Sequence, residues 1–315
     1  VEIIEKPPHG SKEWLDIRWR DANGKCTFGA SEAPVLMNES RYASRADLWQ
    51  WKNLEPQVSV ETAAFRRGNL FEPVLIKEAA HILGVELTTP DFMYRNGRFT
   101  MTPDGVDNPT APSLIVEAKT NSQKRIRDAA DLPSEFLWQG WAQQYVTGAE
   151  VVFVVLDATQ TISLIELPSN PAALEALEYE AAAFGGCVDE GLEPPQDIIG
   201  QMSAQQIASL WKATPTQIEL SEDIMQWVEM LEEAKADQKI AESVITNAQD
   251  AIAQAMLNNE IGLYRGAQVV TWKQQKGRKS FDAKTFSEDN PTLYENYSKE
   301  GKPFRVMRVS RKTGK

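Results

Sequence analysis

Pro103-Asp104-Gly105, followed after a short loop by Ser113-Leu114-Ile115-Val116-Glu117-Ala118-Lys119, decides how this chain folds. Leu114 to Val116 is an apolar, β-branched run and reads as a strand. Successive strand side chains point to opposite faces. Glu117 and Lys119 therefore share one face and Ala118 takes the other. A Pro-Asp turn just ahead of the strand brings Asp104 beside Glu117, so two carboxylates and one ammonium converge.

Hard divalent cations such as Mg²⁺ prefer carboxylate, carbonyl and water oxygens. One or two such ions activate a water and stabilise the leaving oxygen of a phosphodiester. A neighbouring lysine orients the water or neutralises charge developing on the phosphate. A surface strand carrying an ion pair would use the same three residues. The pattern Pro-Asp, then Glu-Ala-Lys, resembles the PD-(D/E)xK nuclease signature.

The 315 residues suffice for one large domain or two smaller ones. Composition is that of a soluble globular protein, with 42% hydrophobic and 25% charged residues. No apolar run approaches the roughly 20 residues of a membrane span, and the first residues lack the layout of a signal peptide. The two cysteines, Cys26 and Cys187, read as free thiols in a reducing cytoplasm. Two histidines, His9 and His81, form no cluster at zinc spacing, which sets aside zinc hydrolases and histidine-based triads. The net charge of −12 argues against nonspecific coating of DNA. That charge is uneven: Lys273 to Lys315 carries +7 and the remainder −19. The basic segment is either a solvated tail or a face toward DNA.

Residues 11–20 predict a short amphipathic helix capped by Ser11, with Trp14 and Ile17 on one face and Arg18 beside them. A second helix starts in 29–36, with Ser31 at or near its N-cap. A helix start with free N–H groups suits a phosphate, although a lone serine there is ordinarily just a cap. Residues 44–52 and 61–83 are further helices. The latter carries Arg66, Arg67 and Glu72 beside an apolar stripe, and Pro73 bends or restarts it. Glu72, among apolar neighbours, is either an exposed glutamate or a carboxylate with a partner or metal. Gly84 ends the helix. Residues 85–88 and 92–101 read as strands, with a hairpin at Asn96-Gly97.

After the Glu117 strand comes a basic loop with Lys124 and Arg125, able to hold DNA phosphates. Residues 134–146 form a helix with Trp138, Gln139, Trp141, Gln143 and Gln144. Residues 151–156 are a strand buried on both faces, and 161–167 pair with it. Residues 171–184 are helical, and Gly185-Gly186 and Pro194-Pro195 mark a loop or boundary. This succession fits an α/β core with one mixed central sheet flanked by helices. Residues 1–190 form that core, and 191–315 a C-terminal extension packed on it. In the extension, 219–259 reads as one long helix or a helical hairpin, open to a coiled-coil role. Residues 269–273 and 304–309 pair as a terminal hairpin, with a short helix at 283–288 between them.

Trp14-Leu15-Asp16-Ile17-Arg18, Gly29-Ala30-Ser31-Glu32, Arg67-Gly68 with Glu72-Pro73, Pro103-Asp104-Gly105, Glu117-Ala118-Lys119, and the Gln139 helix ending Val146-Thr147-Gly148 follow in one order. Residues 10 to 170 thereby resemble the lambda-exonuclease-like family, also called YqaJ-like viral recombinases. The resemblance implies a PD-(D/E)xK fold and a Mg²⁺-dependent 5′→3′ exonuclease on double-stranded DNA ends, with two ions or Mn²⁺ in place of Mg²⁺ as variants. It implies 3′ single strands handed to a single-strand annealing protein, a ring-shaped homotrimer, no membrane association, and phage or prophage origin with action in a bacterial cytoplasm. Asp104, Glu117 and the Ala118 carbonyl then correspond to metal ligands. Lys119, Glu72 and Gln139 correspond to catalytic groups, and Arg18 and Ser31 to a 5′-phosphate pocket, with Arg20 and Lys25 as substitutes for Arg18. Arg66, Arg67, Lys124 and Arg125 face DNA. The family often has a second glutamine where this chain has Trp141. An endonuclease or 3′-directed nuclease of the same fold, or an end-binding protein with little catalysis, are the rival readings.

Overall fold

The computed structural model describes residues 1–8, 10–53, 62–299, 301 and 305–309. It divides into two compact units, Val1–Trp211 and Lys212–Lys315. Glu61 and Phe304, the expected starts of a helix and of the last strand, lie outside the described residues.

The first unit opens with β1 (Glu2–Glu5), α1 (Lys12–Trp19), β2 (Phe28–Gly29), a 3₁₀ turn (Ala30–Glu32), α2 (Ala33–Leu36), α3 (Arg45–Asn53) and α4 (Ala63–Leu83). Next come β3 (Phe92–Asn96), β4 (Phe99–Met101), β5 (Gly105–Val106), β6 (Leu114–Thr120), α5 (Ser134–Thr147), β7 (Glu150–Leu156) and β8 (Ile162–Glu166). It closes with α6 (Pro171–Asp189), α7 (Gln196–Ile199) and α8 (Ala204–Leu210). The strands form two four-stranded mixed sheets, β1-β3-β4-β2 and β5-β6-β7-β8. In the second sheet β6 and β7 run parallel, and both outer pairs are antiparallel. This is a mixed α/β core flanked by helices, with its strands shared between two sheets.

Side-chain alternation explains the layering. Val116 and Val154 pack with Leu75, Ile76 and Ala79 of α4, whereas Ile115, Phe153 and Val155 join the larger core with Trp141, Ala142 and Val146 of α5. Residues 151–155 are all buried, as a strand covered on both faces requires.

Several boundaries differ from expectation for local reasons. Residues 85–87 are not a strand: Gly84 ends α4 at φ +68, and Thr88 makes one bridge to Val106. Helix α4 runs through Pro73 without a break. Ser31 lies within the 3₁₀ turn, and Gly29 caps it, donating its N–H to Glu32 Oε2 at 2.7 Å. Helix α6 continues through Gly185-Gly186 to Asp189. There the missing Cβ of Gly185 makes room for Arg98, whose Nη2 pairs with Asp189 Oδ2 at 2.8 Å.

Residues 191–211 fall in the first unit. Ile198 is fully buried, Arg45 pairs with Glu180 at 3.0 Å and with Asp197 at 3.9 Å, and Gln206 Nε2 donates to Asp47 Oδ1 at 2.7 Å.

The second unit holds one long helix, α9 (Glu222–Met256), then β9 (Ile261–Tyr264), β10 (Ala267–Thr271), α10 (Ala283–Asp289) and α11 (Pro291–Tyr297). The expected pairing of 269–273 with 304–309 is replaced by a local hairpin of β9 with β10. Arg265 and Gly266 both have positive φ, the geometry of a two-residue hairpin turn. Closing two residues costs less chain entropy than closing thirty. Residues 305–309 form no strand. Among the described residues no helix is long and apolar enough to cross a membrane.

Candidate active site

Strand pairing brings the two acidic residues together. Gly105 pairs with Val116 in antiparallel register, so the next step along the ladder sets Asp104 opposite Glu117. Asp104 Oδ2 accepts the Ala118 N–H at 2.8 Å, and Thr89 Oγ1 donates to the Asp104 carbonyl at 2.7 Å. The turn before β6 is thus held at both ends of one residue.

Glu117 is 4% exposed. A buried carboxylate needs partners, and it has three. Its Oε1 accepts from Lys119 Nζ at 2.7 Å and Gln139 Nε2 at 2.5 Å, and its Oε2 from Gln143 Nε2 at 2.5 Å. Lys119 Nζ also donates to Gln139 Oε1 at 2.9 Å and lies 5.4 Å above the Phe136 ring. Gln139 and Gln143 reach Glu117 because four residues on a helix is about one turn. Gly140 lets the helix come close: a Cβ there would lie 2.9 Å from Phe153 Cζ.

Glu72 of α4 lines a cleft of about 360 Å³ with Asp104, Glu117, Ala118 and Lys119. Burial, then the charge of Glu117, raises the Glu72 carboxyl above its ordinary value. Burial, then Glu117 and Glu72, holds Asp104 well above the usual carboxylate range; Lys119 and the Ala118 N–H pull it partly back. Glu72, Asp104 and Glu117 outnumber the two ammonium groups that act on them, Lys119 and, on Glu72, Lys6, and this surplus of carboxylate oxygens suits a hard divalent cation. Among the described residues no three His, Cys, Asp or Glu side chains cluster as ligands of one ion. Asp104 and Glu117, set opposite each other, offer two of the oxygen donors such an ion takes.

The carboxylates also line a larger cavity, about 500 Å³, shared with Arg18, Ser31 and Gln139. Arg18 Nη2 donates to Ser31 Oγ at 2.8 Å, and its guanidinium lies 4.4 Å from the Trp14 ring centroid. Gly29 permits this path, since a Cβ there would collide with the Arg18 guanidinium. Arg20 is instead tied to the Trp19 and Lys52 carbonyls at 2.9 and 2.6 Å. The Lys25 side chain is exposed, beside a turn where its N–H donates to Asp21 Oδ1 at 2.8 Å. Arg66 and Arg67 are exposed on α4, and Lys124 and Arg125 on the loop after β6. That loop is held by Asn121 Oδ1, which accepts from Gln123 N–H at 2.9 Å, and by Asp157 Oδ2, which accepts from Ile126 N–H at 3.0 Å.

Gln143 and Lys6 line the cavity without an assignment from the sequence. Gln143 was legible only as the i+4 partner of Gln139. Lys6, just past β1, lines the cavity and lowers the Glu72 carboxyl, and nothing local in sequence marks it. Trp141 packs in the core and donates Nε1 to the Pro168 carbonyl at 2.9 Å.

An acidic turn, a Glu-Ala-Lys strand and a glutamine helix converge on one cleft of a mixed sheet, an arrangement suited to metal-assisted phosphodiester hydrolysis. Residues 13–150 match the YqaJ-like viral recombinase domain. No curated protein matches the chain significantly. Among solved structures it is similar to an alkaline exonuclease (LHK-Exo) from Laribacter hongkongensis: 18% identity, TM-score 0.45, over 57% of this chain and 94% of that one. LHK-Exo in complex with dAMP gives 20% identity and TM-score 0.43 over the same shares. A phage related exonuclease from Haemophilus somnus 129PT gives 14% and 0.39, over 57% and 97%.

Proposed function

We propose that this chain is a Mg²⁺-dependent exonuclease that digests double-stranded DNA from 5′ ends and leaves 3′ single strands for an annealing protein. One observation carries the reading: the Arg18–Ser31 pair and the Asp104–Glu117 carboxylates line the same cavity. An end phosphate on the first pair leaves the adjoining phosphodiester near the second.

In this reading Arg18 supplies a charge-assisted contact to the terminal phosphate and Ser31 a hydroxyl. Trp14 supports the guanidinium from below. Asp104, Glu117 and the Ala118 carbonyl hold the divalent ion. When bound, such an ion supplies Lewis-acid stabilisation of charge developing on the phosphate. Lys119, fixed between Glu117 and Gln139, orients the attacking water and adds positive charge to the same centre. Gln139 and Gln143 hold Glu117 in place, and Glu72 adds a carboxylate from α4. Arg66, Arg67, Lys124 and Arg125 contact the DNA backbone. The chain works as a ring of three copies, encoded by a phage or prophage and active in the bacterial cytoplasm. A ring can turn its basic segments inward and its acidic surface outward.

The test is digestion of linear and covalently closed circular duplexes of the same sequence, with and without Mg²⁺. Loss of the linear form alone, only with Mg²⁺, supports the reading. Cutting of the circle would make the chain an endonuclease, and binding without digestion would make it an end-binding protein.

A further inference from the structure

Helix α9 spans 35 residues, about 52 Å at the α-helical rise, and Met256 is its one buried residue. Helices in water draw most of their stability from packing an apolar face. Here such a face lies open: Trp227 is 66% exposed, Ile245 55% and Ile252 44%.

The sequence of that face repeats every seven residues. One position reads Ile224, Leu231, Gln238, Ile245 and Ile252; the position three further on reads Trp227, Ala234, Ala241, Ala248 and Ala255. Five repeats of this kind are the pattern of a left-handed coiled coil. The large and small positions fit each other when a second copy of the helix runs antiparallel. Ile224 then meets Ala255 of the second copy, Leu231 meets Ala248, and Gln238 meets Ala241, with Ile245 on Ala234 and Ile252 on Trp227. Four of the five layers set a large side chain on an alanine, the arrangement that fills space without strain. A parallel pair would instead stack four alanine-on-alanine layers and leave gaps.

The flanking charges choose the same direction. In the antiparallel register Lys235 lies beside Glu242 of the second copy, and two-fold symmetry repeats the pair. Gln238 Nε2, at the centre of the stripe, donates to Glu242 Oε1 at 2.9 Å and holds that carboxylate by the seam. In the parallel register Asp237 would face Glu242, like against like.

We infer that α9 is a self-association element that joins two copies of this chain as an antiparallel, two-fold coiled coil. Association is read from particle mass, so the inference stands apart from the nuclease reading.

The experiment is light scattering of the full chain at micromolar concentration. The wild type is expected to contain an even number of copies: six where the chain also forms a ring of three, α9 then joining two such rings, and two where it does not. Lys235→Glu and Glu242→Lys should each halve the particle mass, and the double variant should restore it. All of these positions are exposed, so folding is not at stake. An odd number of copies in the wild type, masses indifferent to both reversals, or tighter association of Glu242→Lys alone would each overturn it. The last result is what a parallel pair predicts, because the introduced ammonium would then face Asp237.

Discussion

Gln143 Nε2 donates to Glu117 Oε2 at 2.5 Å, beneath the acidic cleft, with Gln143 itself 1% exposed. This bond leaves the Gln143 Oε1 buried and without a partner among the described residues. A polar group is kept there despite that cost, which argues that holding Glu117 matters more than local comfort.

Gln143→Leu should therefore leave the fold intact yet weaken activity by about 10- to 100-fold, the usual scale for losing an outer support of a metal-binding carboxylate. The deficit should shrink as Mg²⁺ is raised, because a loosened Glu117 lowers affinity for the ion first. Titrating initial rate against Mg²⁺ concentration checks this. A variant with the wild-type Mg²⁺ curve would show that Gln143 only fills space.

The electrostatics predict an unusual pH response of the metal-free protein. Asp104 and Glu72 both have carboxyls raised in the folded state. The folded chain thus binds more protons than the unfolded one between the ordinary carboxylate values and the raised ones. Stability falls as pH climbs through that window, and the penalty is fully present above it. Asp157 acts oppositely: hydrogen bonds from Thr159 and from the Ile126, Thr159 and Thr161 amides lower it to about 2, so its stabilisation is lost as pH drops from about 4 through that value. At neutral pH, Asp104→Asn should raise the melting temperature of metal-free protein while abolishing cleavage, and Mg²⁺ should stabilise the wild type but not that variant. Melting curves at several pH values decide it; a variant less stable than wild type without metal would mean that Asp104 is well compensated.

Gly140→Ala tests the approach of α5 to the sheet. The new methyl would meet Phe153 at 2.9 Å and Leu167 at 3.0 Å, both in the core. Overpacking of this kind costs about 1–3 kcal/mol, and it would push Gln139 and Gln143 away from Glu117. Activity should fall more steeply than stability, and Phe153→Leu should restore part of both. Denaturant unfolding alongside rate measurements separates the two effects; an unchanged rate would show that α5 can shift without disturbing Glu117.

Much of this site was legible in the chain because it is local. The Pro-Asp turn and the Glu-Ala-Lys strand are neighbours in sequence, and strand alternation alone places Glu117 with Lys119. Arg18 and Ser31 came from motif order, and their 2.8 Å bond depends on Gly29 lacking a side chain. What stayed hidden depends on distant packing. Gly185-Gly186 has the signature of a break, but Arg98 and Asp189 use the space within a continuous helix. The β9 to β10 hairpin rests on Arg265 at positive φ, which a non-glycine residue does not advertise. Lys6 reaches the cavity from an N-terminal strand whose place was set by pairing with β3.

Gly29→Ala gives a milder probe than removing Arg18. The added methyl displaces a flexible guanidinium end, with no backbone to move. The fold should hold, digestion of ends lacking a phosphate should continue, and the advantage of phosphorylated ends should drop severalfold. Initial rates on the two kinds of end measure it; a full advantage would place the end phosphate elsewhere.

The most direct measurement of the central claim compares initial rates on identical linear duplexes bearing a 5′ phosphate or a 5′ hydroxyl, in wild type, Arg18→Ala and Ser31→Ala. Holding the end phosphate in the cavity that contains Asp104 and Glu117 positions the next bond for cleavage. The wild type should prefer the phosphate by about tenfold or more, roughly 1.4 kcal/mol in the barrier. Each variant should shrink that preference while slowing the hydroxyl substrate much less. Equal rates on both ends in the wild type would contradict the account and leave Arg18 and Ser31 as structural neighbours of the cleft.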